Sequence, residues 1–151
     1  MKDCKYININ FVISIHNEII NQTGGLSGVK DKGQLESLLE HIKNDTYYPT
    51  IQDKLTHLVF GIVKFHCFTD ANKRTSIALG YIFLCLNGYY VIPTIYLLKM
   101  ELIVLDVADN KISKNDLKSY ISNIIPNNQF ISILNIILYK YFKELFLYQK
   151  V

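Results

Sequence analysis

Between His66 and Thr75 the sequence reads HCFTDANKRT, which places an imidazole, a carboxylate, an amide and two cations inside otherwise apolar sequence. Charge is costly to bury unless it is paired or bound to something, so the cluster points to a ligand. His66 can accept a proton near neutral pH and is a candidate general base. Asp70 is a candidate carboxylate for Mg²⁺, which is usually held by one or two carboxylates together with phosphate oxygens and waters. Asn72, Lys73 and Arg74 stand just before an apolar run that reads as a helix. Orphan N–H groups and the positive end of the dipole at such a terminus favour an anion. Cations there oppose the dipole, and a bound polyphosphate would offset both. A base, a metal carboxylate and an anion cradle are the parts that phosphoryl or nucleotidyl transfer requires.

The neighbours of these groups read as packing. Phe68 is expected in the core, anchoring the loop. Cys67 follows His66 directly, and adjacent residues diverge, so it reads as a small buried filler rather than a thiol nucleophile.

The elements that must position this stretch follow from hydrophobic spacing. Ile9 to Ile20 carries Phe11, Val12, Ile15, Ile19 and Ile20 at helical intervals. It stops at NQTGGLSGVKDKG, where Gly24, Gly25, Gly28 and Gly33 cluster. That loop lacks the GK[ST] ending of a P-loop and follows a helix rather than a strand, so it reads as a turn needing positive φ. Asp31 can cap a second helix reaching about Lys43, with Leu35, Leu38, Leu39 and Ile42 on one stripe. Leu55, Leu58, Val59, Ile62 and Val63 predict a third helix over Ile51 to His66. The segment from Thr75 to Leu86 is nearly all apolar, which predicts a helix buried on every side and ended by Asn87-Gly88. YYVIPT reads as an extended link, Ile95 to Ala108 as a helix, and the next helix as capped by Ser113 or Asn115. A last helix is expected from Gln129 to Gln149, after Pro126. No alternation supports more than a token strand pair, so the expected fold is all-α in one domain, residues 1–151, with a core over 1–125 and a helical extension over 126–151.

Composition narrows the function. The chain has 151 residues, half of them hydrophobic, enough for a real core. The net charge of +3 is mild and no basic block suggests direct nucleic-acid binding. The three cysteines, Cys4, Cys67 and Cys85, show neither a CxxC nor a zinc spacing, which suggests reduced thiols. MKDCKYININ has no secretory pattern, and no run supplies the roughly twenty apolar residues of a membrane span. A cytoplasmic protein without membrane contact is expected.

HCFTDANKRT resembles the signature of the Fic/Doc family, HxFx(D/E)(G/A)N(G/K)Rxx(R), and is most similar to the Doc (death-on-curing) branch, HxFxDANKRT. A chance match at the seven fixed positions is roughly one in ten million per chain at average residue frequencies. GGLSGVKDKGQLESLL is similar to the family's GGxxGxxDxGxLES stretch, and FLCLNGYYV to its FLxxNG segment. The resemblance covers about residues 1–125.

The resemblance implies a compact helical bundle that moves part of a nucleoside triphosphate, here ATP with Mg²⁺, onto a protein hydroxyl. It implies that His66 is the base, that Asp70 orders Mg²⁺, and that Ala71, Asn72, Lys73 and Arg74 hold the phosphates. AMP-transferring members have Gly where this chain has Lys73 and a second Arg where it has Ile77. These departures favour the Doc mode, in which the γ-phosphate is transferred as by a kinase and the implied target is elongation factor Tu. AMP transfer and a catalytically degenerate binding module are the alternatives. No inhibitory (S/T)xxxE(G/N) helix is present, so control is expected from a separate Phd-like antitoxin that folds into a groove. Apolar positions from Ile131 to Leu145 suggest a further interface, for a homodimer partner or the antitoxin.

Overall fold

The computed structural model describes residues 4–89 and 92–125, which form six helices. They are α1 (Ile9–Thr23), α2 (Lys32–His41), α3 (Ile51–Lys64), α4 (Asn72–Leu86), α5 (Ile92–Ala108) and α6 (Lys114–Ile124). The all-α fold expected from the sequence is observed. The extension over 126–151, with the interface expected on it, lies outside the described residues.

Local sequence sets most helix starts. The Asn8 side chain accepts from Phe11 N at 2.9 Å and opens α1. Asp31 accepts from Gln34 N at 2.8 Å and opens α2. Thr50 with Asp53, and Ser113 with Asp116, form capping boxes at α3 and α6, each satisfying orphan donors reciprocally. Of the two caps expected for α6, Ser113 is therefore the one used.

Several boundaries differ from the sequence-based expectation. α4 begins at Asn72, three residues before Thr75, because the polar motif residues themselves make its first turn. α5 begins at Ile92, so Pro93 lies in the first turn of a helix, where its missing N–H costs nothing. Gly33 is helical, within α2, while Gly24, Gly25 and Gly28 have the positive φ expected of a turn.

The core is built around α3 and α4. α3 packs against α2, α4, α5 and α6, and α4 against α1, α3 and α5. From Thr75 to Cys85 no residue of α4 is exposed, in keeping with its apolar sequence. Leu55, Leu58, Ile62, Leu79, Phe83 and Leu84 are fully enclosed, each contributing about 1.5–3 kcal/mol by leaving water. α3 is more deeply enclosed than its apolar stripe suggests, since Lys54 is buried too. Its ammonium donates to Ile42 O at 2.9 Å and pairs with Asp45 at 2.6 Å. Among the described residues, extended pairing amounts to one antiparallel bridge, Val29 to Phe68. That bridge ties the glycine loop to the motif loop.

Candidate functional site

The motif loop leaves α3 through one unusual backbone position. Phe65 is the C-cap, and His66 follows at φ 49°, the left-handed conformation that commonly ends a helix. Its side chain is exposed, and among the described residues nothing bonds to its ring. An imidazole held at a helix end with free nitrogens is available to a substrate hydroxyl.

Cys67 and Phe68 then turn inward. Cys67 is wholly buried, and burial pushes its thiol up to about 11, which excludes a reactive thiolate near neutral pH. Its carbonyl accepts from Lys30 N at 2.8 Å and Asp31 N at 3.2 Å, and Thr69 N donates to Gly28 O at 3.0 Å. Phe68, between them, faces its own backbone groups the other way. They meet Asn72: Phe68 N–H donates to Asn72 Oδ1 at 3.0 Å, and Asn72 Nδ2 donates to Phe68 O at 2.8 Å. The side chain expected at the phosphates is thus engaged in bracing the loop.

Asp70 sits where the two loops meet. One carboxylate oxygen accepts from Ala71 N at 2.5 Å and the other from Leu26 N at 3.2 Å. These two bonds, Ala71's first, hold its carboxyl below the usual carboxylate range. The glycine loop comes so close that a Cβ on Gly25 would stand 2.5 Å from Asp70 Oδ2. Only a glycine fits there, and its φ of +123° demands one as well.

Ala71 has φ 55° and ψ 20° and serves as the N-cap of α4 without any side-chain cap. Among the described residues nothing satisfies the amides of Asn72, Lys73 and Arg74, which open a fifteen-residue helix as an anion cradle by geometry and dipole. Lys73 is exposed, with no ion-pair partner among the described residues. Arg74 is different. Its guanidinium donates to Thr23 Oγ1 and, at 3.0 Å, to Gly24 O, and lies 4.0 Å from Asp70 Oδ2. A cation at the start of α4 is explained in part by the carbonyl end of α1, with which it pairs favourably.

Asp70 suits a cation that arrives with phosphates. Its side chain is 45% exposed and each oxygen keeps a lone pair beyond its single backbone bond. Among the described residues no group of three or more His, Cys, Asp or Glu could cage a metal. The donor set fits Mg²⁺ completed by phosphate oxygens and water, and no all-protein site.

His16, on α1, escaped the sequence-based reading. It is wholly buried, stacks on Phe68 with ring centroids 4.0 Å apart, and shares a hydrogen bond of 3.1 Å between Nδ1 and Thr75 Oγ1. Burial holds its pKa below the ordinary value, which favours the neutral ring. Val12, His16 and Ile20 line one face at intervals of four. A histidine on an apolar stripe is the signal that was there to be read.

Comparison with known proteins agrees with this construction. The Fic/DOC family model matches residues 6–84, more than half of the chain, from before α1 into α4. The chain is 33% identical over 91 residues to the protein kinase doc of Escherichia phage P1, covering 58% of this chain and 71% of that protein. It is also 33% identical over 69 residues to the toxin Doc of Mycolicibacterium smegmatis, covering 43% of this chain and 53% of that protein, about half its length. With the motif loop, the glycine loop and the uncapped α4 terminus assembled as described, this chain belongs to the Fic/DOC family.

Proposed function

We propose that this protein is the toxin of a toxin–antitoxin pair and acts as a protein kinase, transferring the γ-phosphate of ATP to a Ser or Thr hydroxyl of a translation factor such as elongation factor Tu. The observation that carries this reading is the uncapped start of α4, with three unsatisfied amides beside Asp70 and at the end of the loop that begins with His66. His66 takes the hydroxyl proton as that oxygen bonds to the γ-phosphorus. The bond to the bridging oxygen breaks and ADP leaves. Mg²⁺, brought with ATP to Asp70, would supply charge neutralisation at the phosphates. Lys73 and the α4 amides bind the phosphates, while Asn72 acts through Phe68 to keep the cradle open.

Support for γ-phosphate transfer over AMP transfer comes from Ile77. It is half-buried and packed against the core, so it offers no grip on terminal phosphates. The relative named a protein kinase points the same way. Control by a Phd-like antitoxin fits the resemblance to a Doc toxin. The test is intact mass of elongation factor Tu after incubation with the protein, ATP and Mg²⁺. A gain of about 80 Da is expected, and about 329 Da would mean AMP transfer instead. His66→Ala should abolish the gain while nucleotide binding persists. Undiminished transfer in that variant would remove His66 from the mechanism.

A further inference from the structure

His16 is an unusual choice for the place it occupies. The ring is wholly buried against Phe68, its Nδ1 shares one hydrogen bond with Thr75 Oγ1, and its Nε2 has no partner among the described residues. A phenylalanine would fill the same space and stack on Phe68 without an orphan nitrogen, and the Thr75 hydroxyl could turn to the carbonyl one helical turn back. Packing alone therefore does not account for the histidine. A buried polar atom left unsatisfied calls for an explanation, and a role at the neighbouring site is one.

The two contacts bracket the site. Phe68 is the residue whose backbone Asn72 braces, two positions before Asp70. Thr75 lies in the first turn of α4, directly after the three unsatisfied amides, and its own N–H donates to Ala71 O at 2.8 Å. A ring held at both points from α1 fixes the loop and the helix start relative to each other. We propose that His16 is a positioning residue: through Phe68 and Thr75 it sets the register between Asp70 and the amides that receive the phosphates. It touches neither nucleotide nor target. The inference rests on the phosphoryl-transfer reading for its effect on rate, and on the geometry alone for its effect on the loop.

The test uses the full chain with His16→Phe, His16→Asn and Thr75→Val. Each is measured for thermal midpoint, for phosphate transfer from ATP to elongation factor Tu, and for exchange of the Phe68 and Ala71 amides by NMR. His16→Phe should keep or raise the midpoint, lower kcat about 10- to 100-fold with KM for ATP changed less than about threefold, and speed exchange at both amides. His16→Asn, whose amide can stand where Nδ1 stands, should recover most of kcat. Thr75→Val removes the same bond from the other side, should give the same loss, and decides the matter if His16→Phe does not fold. A His16→Phe protein with wild-type kcat and wild-type exchange overturns the proposal. So does a fall in midpoint that accounts for the lost activity, since that is a purely structural role. If the wild type transfers no phosphate but exchange responds as expected, the phosphoryl-transfer reading fails and the positioning role stands.

Discussion

Asn72→Ala separates two roles that the sequence does not distinguish. If the amide served only as a phosphate ligand, alanine would weaken nucleotide binding and leave the free protein as stable as before. The structure assigns it two bonds to the backbone of Phe68, at 3.0 and 2.8 Å, and Phe68 is 1% exposed. Alanine strands one N–H and one C=O in a partly buried place, and each costs about 1–3 kcal/mol when it stays dry. Alanine is the best helix former, so no propensity loss confuses the result. Allowing water to reach one of the two groups, the expected loss is about 1–3 kcal/mol, or a fall in midpoint of roughly 2–12 °C for a domain of this size. The assay is thermal and urea unfolding without nucleotide, beside nucleotide affinity on the same samples. A midpoint within about 1 °C of wild type would refute the bracing role.

Other outcomes follow from single groups. Tyr96 is wholly buried and its hydroxyl has no partner among the described residues, so Tyr96→Phe should hold stability equal or raise it by about 1 kcal/mol; a loss of that size in urea unfolding would contradict it. His57 is depressed to about 4 by burial first, then by Lys114 and His41. Because its folded value lies below the ordinary 6.5, its share of stability is present above pH 6.5 and is lost as the unfolded chain takes up the proton between pH 6.5 and 4. That loss is on the order of 3 kcal/mol, and His57→Phe should flatten the profile across that window. Transfer should stop in excess chelator and return with added Mg²⁺, with Asp70→Ala weakening nucleotide binding in Mg²⁺ far more than without it. Full transfer in chelator would exclude the assignment of Asp70.

What the sequence disclosed depended on distance along the chain. The helices announced themselves by spacing, and Asp31 and Ser113 by the capping chemistry of residues three positions on. That His66, Asp70 and the start of α4 would stand close together was legible because they lie within nine consecutive residues. The start of α4 was misplaced by three because Ala71 caps through a left-handed backbone, with no side-chain signature. The contacts of Arg74 with Thr23 and Gly24 span 51 and 50 residues, so they are invisible in the motif itself. The bonds of Asn72 to the backbone of Phe68 are hidden for a subtler reason: bracing and ligation call for the same amide, and sequence alone does not separate them. His16 gave a weak signal, a polar ring at a core position, whose meaning lies in contacts with Phe68 and Thr75.

The bond from Leu26 to Asp70 joins positions 44 residues apart, and it runs from an exposed turn. During synthesis, therefore, the site cannot close until the chain has emerged past Arg74 and α1 has docked. Closure of that loop is cheap, since its entropic cost rises only logarithmically with length. It depends all the same on the covalent tether. A single cleavage between Gly24 and Gly28, where the backbone is accessible to a protease, would leave six whole helices. It would also turn an intramolecular closure into the association of two fragments and forfeit an effective concentration in the millimolar range. The glycine turn is thus a point at which proteolysis could disarm the protein without unfolding it.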